Sequence, residues 1–100
     1  MRLTELSPRW LSDNVFAFLC PHCRKMWLTV KNVVISDADQ WNLAVAHFGE
    51  DEMSNVVLTE VGCAWKFPSH GYFTTMTVTP SLNASKSGHW HGSITNGAIV

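Results

Sequence analysis

The chain has 100 residues, and seven lysines and arginines against eight aspartates and glutamates give a formal net charge of −1 at pH 7. This length suits one small domain, and the near-neutral charge argues against a protein that coats DNA. The longest apolar run, Val15–Cys20, has six residues, whereas a membrane helix needs about 20. Because Met1–Trp10 lacks the apolar core of a secretory signal, we expect a cytoplasmic protein.

The composition favours strands over helices. Valine, isoleucine and threonine total 21 residues, whereas glutamate and glutamine total five, and β-branched residues fit strands better than helices. We therefore predict a β-dominated fold, all-β or α+β, built as a small antiparallel sheet or barrel.

The first 14 residues are predicted to form an N-terminal arm, and residues 15–100 a single zinc-stabilised β-rich domain. Trp10 and Leu11 are the main apolar anchors of the arm, which we expect to be loosely docked. Asp13 and Asn14 form a turn signal ahead of the first predicted strand.

Two short strands are predicted around a pair of cysteines. Val15–Leu19 leads into Cys20-Pro21-His22-Cys23, and Met26–Val30 follows. Two strands joined through Cys-Pro-x-Cys are typical of a zinc knuckle, in which two thiolates supply half of a tetrahedral ligand shell.

The segment 37–48 is compatible with a helix or a strand. Trp41, Ala44, Val45 and Phe48 recur at helical spacing, and Ser36 could cap the helix. Trp41, Leu43 and Val45 also alternate as in a strand. Periodicity does not decide between the two.

Four further strands are predicted in the second half of the chain. The first three are Val56–Val61, Tyr72–Val78 and His91–Thr95, and Pro80 ends the second of them ahead of a loop over 81–88. Asn96-Gly97 is a strong signal for a tight turn, so that Ala98–Val100 returns as the last strand of a hairpin.

The cysteines and histidines suggest where a zinc ion binds. Cys20 and Cys23 offer two thiolates, and His89 and His91 would share one face of a strand because they are two residues apart. We therefore predict a Zn2+ site of Cys20, Cys23, His89 and His91, which links the N- and C-terminal hairpins. His70 or Cys63 could replace His89. A redox pair at the two knuckle cysteines is disfavoured because the βα context of a thioredoxin motif is missing.

The order of these motifs resembles the DUF6527 family of small zinc-binding domains found in phages and prophages. The resemblance covers residues 15–100 and implies a β-rich fold and zinc. The family places a cysteine shortly before the position of His91, where this chain has Trp90, so that His89 is the nearby substitute. The matching residues are Cys20, Pro21, Cys23, Trp41, Thr77, Pro80, Ser81, His91, Ile94, Asn96 and Gly97.

A closed Cys2His2 shell leaves no position for a substrate, so we expect a protein-binding module rather than an enzyme. Most of its five tryptophans should lie in the core, and one or two could anchor a protein partner. By analogy with the family, the partner would be a host factor, for example a defence complex that a phage accessory protein inhibits. The alternatives are a zinc hydrolase with an open site and Glu60 as base, and a nucleic-acid-binding knuckle using Arg24 and Lys25.

Overall fold

The computed structural model of this chain describes residues 1–59, 62–83 and 88–100. In these residues it has one α-helix, a four-stranded sheet of order β1-β2-β3-β4 and a three-stranded sheet of order β5-β6-β7. The predicted β-dominated fold is confirmed. Its strands are β1 (Arg9–Ser12), β2 (Val15–Leu19), β3 (Trp27–Lys31), β4 (Val56–Val57), β5 (Val78–Asn83), β6 (His91–Thr95) and β7 (Ala98–Ile99).

The first sheet is built around β2, whose first four residues are all buried. Strands covered on both faces are expected to be apolar throughout, and this explains the unbroken apolar run. β2 pairs with β1 and β3 antiparallel, and β4 adds a short parallel pair to β3. The last pair of β2 and β3, Leu19 with Trp27, brings both ends of the loop 20–26 together.

Residues 1–14 are packed into the domain, so the expectation of a loosely docked arm is wrong. A 3-10 helix, Leu3–Leu6, places Leu3 and Leu6 on one side, and both are fully buried. Such a helix has about three residues per turn, so residues three apart lie above one another. The Leu3 N–H also donates to the Gly97 carbonyl at 2.8 Å, which ties the start of the chain to its final hairpin.

The ambiguous segment is a helix, α1 (Asp37–Phe48). The Ser36 hydroxyl accepts a hydrogen bond from the Asp39 N–H at 3.1 Å, an N-cap that a strand could not use. Gln40 and Ala44, four residues apart, form the buried face. The Gln40 side chain exchanges two hydrogen bonds with Thr59, at 3.1 and 2.9 Å.

The predicted strand Tyr72–Val78 is wrong, because β5 begins where that prediction ended. Tyr72 instead opens a turn in which its carbonyl accepts from the Thr75 N–H at 3.2 Å. β5 runs through Pro80, after a cis peptide bond, and shifts register against β6 between Val78 and Leu82. It lies at the edge of its sheet, where proline is tolerated because its missing N–H is not needed for pairing.

The remaining strand predictions have mixed outcomes. A strand is predicted over 56–61, but β4 covers only its first two residues. The last two residues of that prediction, Glu60 and Val61, lie outside the described residues. The predicted loop 81–88 overlaps β5 up to Asn83, and 84–87 also lie outside the description. The final hairpin is confirmed, with left-handed backbone at Asn96 and Gly97.

One apolar core joins the two sheets. Phe16 and Phe18 from β2 meet Val78, Leu82 and Ile94 from the second sheet in a single buried cluster. Within the part of the chain that is described, no helix has the length and apolar character needed to cross a membrane.

Candidate metal centre

The loop between β2 and β3 holds both knuckle cysteines on a tight turn. The Cys20 N–H donates to the Met26 carbonyl, and the Arg24 N–H donates to the Cys20 carbonyl, both at 2.8 Å. Arg24 adopts a left-handed φ of 54°, which turns the chain back towards β3. The Cys20 side chain is fully buried and that of Cys23 is exposed, so the turn presents one thiol to the core and one to solvent.

The third donor comes from the other end of the chain. His89 lies just ahead of β6, and its Nδ1 is 3.8 Å from the Cys23 Sγ. Its neighbour Trp90 is buried, and the Trp90 ring meets the Phe18 ring edge-on at a centroid distance of 6.0 Å. Because Phe18 lies two residues before Cys20, this ring contact holds the His89 backbone beside the knuckle.

The ligand atoms of Cys20, Cys23 and His89 all lie within 4.8 Å of one another. These three residues are therefore close enough to bind one metal ion. In a tetrahedral zinc site, sulfur and nitrogen ligands lie about 3.5 Å apart, given Zn–S near 2.3 Å and Zn–N near 2.0 Å. The separation of 3.8 Å between Cys23 and His89 is close to this spacing, and all three cysteines of the chain are free of disulfides.

The turn also favours the anionic form of its exposed thiol. The backbone N–H of Lys25, with further hydrogen bonds from the Met26 backbone and the Cys20 side chain, lowers the pKa of Cys23 and outweighs the opposing effect of burial. Hydrogen bonds to a thiolate stabilise its charge, and the thiolate is the form that binds metals.

The other predicted ligands do not belong to this group. His91 is the first residue of β6, is exposed, and pairs with Asn83 across the sheet. His91 as a ligand therefore stays a prediction. His70 is engaged elsewhere, since its Nε2 lies 2.7 Å from Asp13 Oδ1 and its ring contacts the Trp10 ring at a centroid distance of 5.7 Å. Cys63 is half-buried and also outside the group.

Sequence reasoning missed the N-terminal residue as a neighbour of the knuckle. The Arg24 guanidinium lies 3.8 Å from the Met1 sulfur, and the Ile99 N–H donates to the Met1 carbonyl at 2.8 Å. No local pattern in the sequence links Met1 to either residue, because both contacts depend on the packing of the two sheets.

No protein-family model, curated protein or solved structure matches this chain. The resemblance to the DUF6527 family therefore stays a prediction.

Proposed function

We propose that this protein is a small zinc-stabilised module that acts by binding a protein partner. The observation that carries the proposal is the group Cys20, Cys23 and His89, whose ligand atoms lie within 4.8 Å of one another. Two thiolates and an imidazole form a donor set that zinc favours among the common metals of a reducing compartment.

Zinc at this position would connect two distant parts of the chain. Cys20 and Cys23 follow β2 of the first sheet, whereas His89 precedes β6 of the second, with 65 residues between Cys23 and His89. In isolated zinc fingers, metal binding contributes about 10 kcal/mol or more to folding, while a domain of this size has a net stability of roughly 5–15 kcal/mol. The metal would therefore be a main source of stability.

The surface that suits a partner is the outer side of α1. The Trp41 side chain is 46% exposed there, and large exposed aromatic residues commonly anchor protein interfaces. Residues 37–52 contain five of the eight acidic residues of the chain and no lysine or arginine. This combination fits a partner that offers an apolar pocket bordered by lysine or arginine side chains.

The metal part of the proposal is tested by the zinc content of the purified protein. We expect one zinc per chain in the wild type and a loss of zinc in Cys23→Ser. Cys63→Ser is the matched control, because Cys63 lies outside the group, and it should retain zinc fully. Wild-type protein that contains no zinc after expression in zinc-supplemented medium would contradict the proposal.

The partner part is tested by comparing two exposed aromatic residues. Trp41→Ala should abolish the retention of proteins that the wild type captures from a cell lysate, and high salt should weaken the same capture because the interface is acidic. Tyr72→Ala is the control, since Tyr72 is 82% exposed and lies away from α1 in the sequence. Identical sets of captured proteins from both variants and the wild type would refute α1 as the binding surface.

A further inference from the structure

We infer that the metal centre leaves one coordination position open to solvent and that this position takes a small anionic ligand. The inference rests on the proposed metal site and adds a binding activity to it. It depends on the number of donors, on the side of the site that they occupy, and on the charges around the knuckle.

The donor count leaves one position unfilled. Zinc in proteins usually has four ligands, and sites with three protein ligands bind water or another molecule at the fourth position. Among the described residues, the group contains only Cys20, Cys23 and His89. Of the six residues outside the description, Glu60 is the only one with a side chain of a metal-binding type.

The three donors differ in exposure, and this difference gives the open position a direction. The Cys20 side chain is fully buried, that of His89 is half-buried, and that of Cys23 is exposed. The core side of the group is therefore occupied by a protein thiol. A fourth ligand would approach from the solvent side, next to Cys23.

The charges around the knuckle favour an anion. Two thiolates balance the charge of a divalent ion, so the metal group itself would be close to neutral. Arg24 and Lys25 follow Cys23 directly and are both exposed, and Arg24 brings Met1 to the same turn. The two segments that supply the donors, residues 14–36 and 61–100, contain no aspartate or glutamate. The carboxylate of Glu5, the first acidic residue of the chain, accepts a hydrogen bond from the Arg2 backbone N–H.

The test uses protein in which Co2+ replaces zinc, because the visible absorption of Co2+ depends on its ligands. Adding azide, a small anion that coordinates metals, should change this spectrum in a saturable way. The double variant Arg24→Ala/Lys25→Ala should bind azide about threefold to tenfold more weakly, as expected for the loss of two exposed charges.

Single variants then test whether a fourth protein ligand exists. His22→Ala, His91→Ala and Glu60→Gln should each leave the Co2+ spectrum and the azide titration unchanged. A spectrum that azide does not alter, or one that any of these three variants alters before azide is added, would overturn the open position while leaving the metal site itself intact. A failure to bind Co2+ at all would refute the proposed metal site, and with it this inference.

Discussion

Gly97 is the residue whose substitution by alanine should damage the fold most specifically. It lies in the turn between β6 and β7 with a φ of +76°. A Cβ atom added there would overlap the Thr74 carbonyl oxygen, and it would lie 2.6 Å from the Thr74 carbonyl carbon and 2.7 Å from the Arg2 guanidinium. Arg2 also donates to the carbonyls of Thr74 and Asn96, at 2.7 and 3.1 Å, so relief of the overlap would disturb these bonds.

The destabilisation expected for Gly97→Ala has two contributions, backbone strain and steric overlap. A second glycine, at which only the first applies, allows them to be measured separately. A left-handed backbone costs an alanine about 1–2 kcal/mol, and forcing an atom into a packed site costs about 1–3 kcal/mol more. Gly88 has nearly the same φ, +75°, but among the described residues no atom beyond its chain neighbours lies within 4 Å of its added Cβ. Gly97→Ala should therefore destabilise the fold by about 2–5 kcal/mol, and Gly88→Ala by about 1–2 kcal/mol.

Denaturant unfolding of zinc-loaded protein, followed by tryptophan fluorescence, measures both variants. The midpoint for Gly97→Ala should be clearly lower than that for Gly88→Ala, with similar slopes. Equal midpoints would show that the overlap at Thr74 is relieved without cost, and the packing argument for this turn would then be wrong.

Three other changes have defined outcomes. Trp90→Ala should lower the free energy of unfolding by about 3–5 kcal/mol, as for other buried aromatic residues. It should also weaken zinc binding in a competition assay, and an unchanged affinity for zinc would refute the role of Trp90 in placing His89. Ser36→Ala should lower stability by about 1 kcal/mol through loss of the α1 cap, whereas alanine at the exposed Ser54 should change stability little. Desolvation, and to a smaller extent the charge of Arg9, lower the pKa of His47 in the folded protein. The unfolded chain therefore binds a proton at this histidine more readily, and the stability of the fold should fall as the pH drops below about 6.5. His47→Gln should weaken this acid sensitivity. Urea unfolding curves at several pH values around 6.5 measure it, and the same dependence of stability on pH in the variant and the wild type would contradict the prediction.

The parts of the fold that sequence predicts well are those set by neighbouring residues. Val15–Leu19 is recognisable because every residue is apolar, and Asn96-Gly97 because few other pairs adopt the required backbone. The Cys-Pro-x-Cys motif also predicts that Cys20 and Cys23 lie on the same turn.

Features that depend on distant contacts were harder to predict. Leu3 and Leu6 look isolated between polar residues, and only the packing of the two sheets shows why both are buried. Pro80 reads as the end of a strand, although at a sheet edge it is compatible with one.

The histidine ligands show the same limit. The two-residue spacing of His89 and His91 predicts a shared face only if both residues are in the strand. β6 begins at His91, and His89 precedes it at the knuckle, so the spacing alone could not separate their positions.

The central claim, that one zinc ion joins the knuckle to the residue ahead of β6, is tested most directly by thermal unfolding with zinc and with a chelator. With free zinc a thousandfold above its dissociation constant, binding should add about 4 kcal/mol. For a domain of this length, that raises the Tm by roughly 15 °C or more, and Cys23→Ser should abolish the difference. Equal Tm values for the wild-type protein in zinc and in chelator would contradict the claim.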